Sequence, residues 1–349
     1  MSGAQGMALW RHRLFGTPAT AALTVLIGAF LIWALVPLIR WGIVNATFAG
    51  ATREDCAPGG ACWVFVRARF GQFMYGLYPV PQRWRVDLFG VLSVMAVAAV
   101  FLTRGMLRRL VLLLALLVLP VVGVWLLAGG YGLAPVETRD WGGLMLTLFI
   151  SVYSGLIALP LGILLALGRQ SNLPLIRILS VVFIEFWRGV PIIAVIFLAS
   201  LLLPLIMPAG VGIDRLARAV IGLGFVIAAY LAEAVRGGLQ ALPKGQGEAA
   251  SALGLGYWQT TGLITLPQAL RISLPAITNE FISLIKNTTL VLVVSILDLL
   301  GIAQASIADP AWVGMSMESY LFAGAIYWII CFGLSRWSRS LEASGPKSH

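Results

Sequence analysis

Long stretches of this chain carry no charged residue, and their lengths set its architecture. Leu14–Ile39, Leu88–Thr103, Leu110–Val136 and Trp141–Gly168 contain no Asp, Glu, Lys or Arg. A run of about 20 apolar residues is long enough to cross a bilayer as a helix. Spans are therefore expected near 19–39, 88–103, 110–136 and 141–168, with Pro120 and Pro160 inside the third and fourth. The first apolar run is longer than that of a secretory signal and reads as a retained anchor. Beyond Arg177 the chain includes Glu185 and Arg188 and is then uncharged from Gly189 to Ile213. That is too much for one simple span, so it divides into a short amphipathic entry near 177–188 and a fifth span near 189–207. Further spans are expected at about 217–236, 285–303 and 319–335. The pattern predicts an all-α polytopic membrane protein of about eight transmembrane helices.

Composition agrees. The 349 residues are 60% hydrophobic and only 11% charged, with a mean hydropathy of +0.94, whereas a soluble domain carries about a quarter charged residues. The net charge of +10 does not point to nucleic acid, because the arginines sit singly between apolar runs, where they set membrane orientation. With both termini in the cytoplasm, the inner segments receive Arg11, Arg13, Arg104, Arg108, Arg109, Arg169, Arg177, Arg236, Lys244, Arg271, Arg336, Arg339 and Lys347. The opposite side receives few basic residues outside the long loop 41–86, and long loops obey the rule less strictly. This topology places residues 237–284 in the cytoplasm. It puts Cys56 and Cys62 outside, where an oxidising compartment and the Pro-Gly-Gly turn between them favour a local disulfide over two free thiols. Three cysteines and two histidines, His12 and His349, are too few and too scattered for a metal site or a histidine-based catalytic centre. No GxxxxGK[ST] run is present, so the chain binds no ATP through a P-loop of its own. It is expected to need no cofactor and to be no enzyme.

One polar segment stands out among these spans. Glu248-Ala249-Ala250-Ser251-Ala252-Leu253 is good helix-forming sequence, preceded by Gly245 and Gly247 and stopped by Gly254 and Gly256. Tyr257-Trp258 begins a second helical stretch that reaches Leu266-Pro267. The expected product is a short helix, a sharp turn and a second helix at an angle, with a small-residue face suited to close docking on another protein. Read from the residues alone, an ordinary interfacial connector fits equally well.

Glu248-Ala249-Ala250, Gly254, Ile264 and Leu266-Pro267 stand at the spacing of the EAA loop, and the segment 245–267 resembles that loop of ABC-importer permeases. Phe183-Ile184-Glu185-Phe186-Trp187-Arg188-Gly189-Val190-Pro191 is similar to the signature of the polar amino-acid branch, with Val190 where that branch usually has Thr. Tyr230-Leu231-Ala232-Glu233-Ala234-Val235-Arg236-Gly237-Gly238-Leu239, Lys286-Asn287-Thr288-Thr289-Leu290 and Leu297-Asp298-Leu299-Leu300 resemble further motifs of the same branch. The likeness runs from about residue 142 to the end. Gly60-Ala61-Cys62-Trp63, Arg69-Phe70-Gly71 and Trp84-Arg85-Val86 are similar to the N-terminal extension of general L-amino-acid importer permeases. The resemblance implies a three-helix extension with its external loop (1–136), a five-helix type I importer core (137–340) and a cytoplasmic tail (341–349) in a bacterial inner membrane. It implies partners as well: ABC ATPase subunits that bind and hydrolyse ATP, a second permease (a paralogue or a copy) and a periplasmic amino-acid-binding protein, all set in membrane lipid.

Charges inside spans are costly and usually face a partner or a pathway. Glu185 with Arg188, and Glu233 with Arg236, lie three residues apart, so each couple can pair on one helix face. Two readings are open for these four residues. They pin helix ends at the cytoplasmic interface, or a carboxylate meets the substrate's amino group while Asn287, Thr288 and Thr289 supply neutral hydrogen bonds; Asp298 is a further candidate. The rival to an ATP-driven permease is an ion-coupled secondary transporter, whose broken helices would explain the prolines and charges but not the EAA spacing.

Overall fold

A computed structural model describes residues 13–208, 212–243 and 245–343. The expected tail from residue 344, together with Arg11, His12, Lys244, Lys347 and His349, lies outside the described residues. The helices are α1 (Pro18–Ile39), α2 (Trp63–Tyr75), α3 (Arg83–Leu102), α4 (Gly105–Ala128), α5 (Gly143–Arg169) and α6 (Pro174–Gly189). They are followed by α7 (Ile192–Ile206), α8 (Arg215–Gln240), α9 (Gly245–Ala252), α10 (Tyr257–Val294), α11 (Leu299–Ile307) and α12 (Ser316–Ala343). Among the described residues 7 helices are long and apolar enough to cross a membrane, and α6 with α7, bent by 103° at the break, makes an eighth crossing if taken as one.

Two boundaries differ from the sequence reading in an instructive way. The span expected at 285–303 is α10, which starts at Tyr257 and ends at Val294. The second helical piece of the polar loop therefore runs straight into the membrane helix. Arg271, Glu280, Pro267 and Pro275 interrupt the apolar run without interrupting the helix, which loosens to a wider turn over Thr261–Thr265 just ahead of Pro267. α4 likewise continues through Pro120.

The chain forms two compact units. One holds the described residues up to Arg69 together with Ile307–Ser319. Here a disulfide joins Cys56 and Cys62, whose Cα atoms lie 5.5 Å apart. The loop after α1 is closed by backbone hydrogen bonds from Thr47 to Ala61 (2.8 Å) and from Trp63 to Thr47 (2.9 Å). The Thr52 and Ala51 amides donate to the exposed Asp55 carboxylate and hold its pKa below the usual carboxylate value. Segments far apart in sequence meet in this unit: the buried Glu318 accepts from the Cys62 amide at 2.8 Å, Arg69 pairs with Asp309, and the Phe65 and Trp312 rings lie 5.6 Å apart. The expected topology puts 41–69 and 307–319 on the same side of the bilayer, as these contacts require.

The second unit, the described residues of 70–306 and 320–343, is built around α5 and α8. Ile150, Ala158 and Leu165 of α5 and Leu223, Ile227 and Leu231 of α8 are buried against one another. Lipid is as apolar as leucine, so close backbone approach through small residues does much of the packing in a membrane. Gly238 is the clearest case: a Cβ there would stand 2.4 Å from the Ala269 carbonyl oxygen of α10. Polar clasps join α5 to two neighbours, with Ser154 donating to the Val220 carbonyl of α8 (3.0 Å) and Tyr153 to the Pro120 carbonyl of α4 (2.6 Å).

Candidate functional site

The polar loop forms a helix, a turn and a second helix, as its glycines dictate. α9 ends in a two-bond cap, with the Leu255 amide on the Ala250 carbonyl and the Gly254 amide on the Ser251 carbonyl. Gly254 has φ +77°, the left-handed conformation such a cap needs and glycine accepts without strain. Ala250 is buried, while Glu248 and Ala249 are exposed on the outer surface. Leu253 and Trp258 are 81% and 72% exposed, an apolar rim around the turn that nothing among the described residues covers. Ile264 and Leu266 are partly buried and Pro267 is exposed on α10.

A tie not foreseen from the sequence links the two helices. The side-chain amides of Gln246 and Gln268 hydrogen-bond reciprocally, at 3.2 and 2.9 Å, and Gln268 also donates to the Ile264 carbonyl at 2.7 Å. These bonds tie α9 to α10 about three turns beyond its first residue.

The charged couples lie where α8 runs towards α9. Arg236 does pair with Glu233, at 2.7 Å. Glu185 does not pair with Arg188; it meets Arg169 of α5 at 2.9 Å. The same Arg169 nitrogen lies 3.1 Å from Glu233. Arg188 instead stands over the Tyr230 ring at 5.6 Å. One arginine at the end of α5 therefore straps α6 to α8, and both carboxylates are engaged by arginines. The i,i+3 rule sees only one helix at a time and missed Arg169, whose one signal is that it closes a charge-free span.

At the far end of α10 the backbone breaks. Thr288–Val294 winds more tightly, Ser295 takes a left-handed φ of +59°, and α11 begins at Leu299. The fully buried Asp298 manages this break. It caps α11 by accepting from the Gly301 amide (2.9 Å), and it also accepts from the Tyr327 hydroxyl of α12 (2.7 Å), with the Thr288 hydroxyl 3.3 Å away. The Leu299 amide donates to Thr147 and the Gly143 amide to the Leu297 carbonyl, both at 3.0 Å, which ties the break to α5. Unsatisfied backbone is costly in lipid, so irregular chain at this depth needs such partners. Asp298 thus sits among neutral donors as a knot between helices. Thr289 bonds locally to the Lys286 carbonyl, and Asn287 is partly buried at the end of the regular helix. Tyr327 and Thr147 went unnoticed in the sequence, although a tyrosine in an apolar span needs a partner for its hydroxyl.

Comparison with known proteins places this geometry. The family profile described as binding-protein-dependent transport system inner membrane component matches residues 158–344. The chain is 49% identical over 344 residues to the inner membrane amino-acid ABC transporter permease protein YhdY of Escherichia coli, covering 98% of this chain and 93% of that protein. It is 37% identical over 414 residues to the glutamate/glutamine/aspartate/asparagine transport system permease protein BztC of Rhodobacter capsulatus, covering 99% and 95%. A crystal structure of an amino acid ABC transporter with histidines superposes with a TM-score of 0.51 at 28% identity, over 58% of this chain and 92% of that one.

Proposed function

This chain belongs to the family of binding-protein-dependent transport system inner membrane components and is a permease subunit of a polar amino-acid ABC importer, and from that premise we propose how it is driven. The family works with ATPase and substrate-binding partners. In our reading, Glu248 and Ala249, with the apolar rim of Leu253 and Trp258, seat in a cleft of an ATPase subunit that binds and hydrolyses the ATP. A second permease, copy or paralogue, completes the pore, and a periplasmic binding protein delivers the amino acid. Both termini lie in the cytoplasm of a bacterium whose inner membrane holds the chain.

The exposed apolar turn between α9 and α10 carries this proposal, because such a rim on an otherwise polar loop fits a protein partner better than water. Closure of the ATPase pair draws the two α9 helices together. The Gln246–Gln268 amides pass that movement to α10, and the Arg169 strap makes α5, α6 and α8 respond as one body. The chain performs no covalent chemistry; it converts movement at Glu248–Pro267 into access at the midplane.

The test is co-purification with the ATPase and ATP-driven uptake in vesicles, for Leu253→Asp and Gly254→Val. We expect both variants to lose the ATPase and at least about tenfold of uptake, the cost of burying an unpaired charge or straining a left-handed turn. Full retention of the ATPase by both would sink the docking proposal. Uptake without ATP that collapses with a proton uncoupler would point to an ion-coupled transporter.

A further inference from the structure

A half-open cleft of about 320 Å³ lies between α6, α7 and α8, lined by apolar side chains that include Trp187, Val195, Leu202 and Phe225, with Arg218 the one charged group on its wall among the described residues. Nothing in the coupling route uses it. Arg218 donates one bond, to the Ser200 carbonyl at 2.8 Å. Its Nε is buried without a hydrogen-bond partner, and so is the hydroxyl of Ser200 beside it. No carboxylate pairs with Arg218 among the described residues. An arginine within a membrane helix is stable only with an anion, water or polar boundary at hand.

Depth and lining decide which anion. α8 has 26 residues, so it is roughly 39 Å long at the helical rise, against about 30 Å of hydrocarbon. Arg218 is in its first turn, at the polar boundary of the leaflet farther from α9. From there the cleft runs down α8 past Gly222 to Phe225, towards the middle of the bilayer. The wall opposite is α7, where a wider helical turn at Leu198–Leu202 directs the Ser200 carbonyl to Arg218; irregular backbone of this kind is tolerated where it lines a cavity. An amino acid fits poorly, because its ammonium would lose water and find no carboxylate on the wall. A molecule with one anionic head and a hydrocarbon body satisfies both halves, since guanidinium matches phosphate geometry.

We propose that this cleft is a site for one anionic phospholipid of the bilayer, its phosphate on Arg218 and the upper part of an acyl chain against Val195, Leu202 and Phe225. The site goes beyond transport and coupling: it makes a lipid part of the wall formed by the bent α6–α7 pair.

The complete transporter, permease with its ATPase, is purified in mild detergent and examined by native mass spectrometry, comparing wild type with Arg218→Gln and Gly222→Leu. A Cβ at Gly222 would stand an ordinary 3.5 Å from Ala199 and Val195, so leucine there fills the cleft and leaves the charge in place. Wild type is expected to keep one phospholipid per permease and to refill from phosphatidylglycerol in preference to phosphatidylcholine; both variants should hold about tenfold less, Arg218→Gln through loss of a charge-assisted hydrogen bond and Gly222→Leu because leucine takes the place of the acyl chain. Should Arg218→Gln fail to assemble, Gly222→Leu carries the test. Equal lipid in wild type and variant, or none in wild type, overturns the proposal. Displacement of the lipid by millimolar inorganic phosphate alone would make it a free-anion site, and cross-linking of Gly222→Cys to the second permease would make it a subunit contact; each also overturns it. Failure of the permease reading would show separately, as absence of ATP-driven uptake by the wild-type complex.

Discussion

α1 and α8 are both single apolar spans, yet they live in opposite surroundings. No residue of α1 is buried, although its middle is almost entirely Leu, Ile, Val, Phe and Trp. About two thirds of the spanning part of α8 is buried (67%), although it is the less apolar helix and carries Glu233, Arg236 and four glycines. In water the greasier helix would be the core. In a bilayer, apolar bulk gains nothing by leaving lipid, and what draws helices together is close fit and polar partners. Between these two helices burial therefore follows close fit and polar partners, and hydropathy alone points the wrong way.

The strongest way to break that comparison is to place the same bulky residue in each helix. Gly238→Leu would drive a side chain into the Ala269 carbonyl, 2.4 Å from the new Cβ, where backbone rather than a flexible side chain must yield. We expect a loss of about 3 kcal/mol, at the upper end for overpacking, seen as aggregation or a large fall in thermal midpoint of the purified complex. Gly28→Leu in α1 meets nothing within 4 Å and should leave the midpoint where it was. Equal damage at both positions would mean that glycine is needed in these helices for itself and not for contact.

Next in size is the buried knot. Asp298→Ala removes the cap of α11 and strands the Tyr327 hydroxyl and the Gly301 amide. Together these should cost about 2 kcal/mol. Asp298→Asn keeps a carbonyl oxygen for one donor and should recover part of the loss. Thr24 of α1 bonds only to carbonyls of its own neighbourhood, and Thr24→Ala should change stability little. A neutral Asp298→Ala variant with normal uptake would remove Asp298 from the role of a knot.

The sequence disclosed these regions unevenly, for physical reasons. Span positions were legible wherever a charge-free run coincided with a helix, as in α1 and α5. The division between α6 and α7 was legible because the stretch from Arg177 to Ile213 is too long for one span and opens amphipathic. α10 was misplaced because Arg271 and Glu280, both in the middle of this 38-residue helix, broke the apolar run and not the helix. The EAA turn was readable because its conformation is local: Gly254 needs no distant partner. Long-range pairings were not readable. Arg169 with Glu185, Gln246 with Gln268 and Asp298 with Tyr327 each join helices whose mutual rotation no periodicity specifies.

The Arg169 strap sharpens the comparison at a smaller scale. Arg169→Ala leaves Glu233 with Arg236 but frees Glu185, whose side chain is 55% exposed and can turn to water. A loss of about 1 kcal/mol is expected, because partly exposed pairs are worth little singly and more in a network. The loss should shrink as salt rises, as screening acts on the exposed arm. A change independent of salt would show that Arg169 acts through packing of its aliphatic stem.

The smallest effect should come from the boldest change. α1 can be replaced over Pro18–Ile39 by an unrelated apolar helix of the same 22 residues, keeping the Thr17 cap and the loop that follows. If lipid is its only neighbour, the new helix is solvated as well as the old one, and stability should stay within about 0.5 kcal/mol, the range of a surface change. Uptake should then persist as well. A larger loss confined to the assembled transporter, and absent from the isolated permease, would be the informative failure. It would mean that the exposed face of α1, with the Phe30 and Trp33 rings 6.0 Å apart, is covered by another subunit, and that α1 resembles α8 after all, with its partner in a different chain.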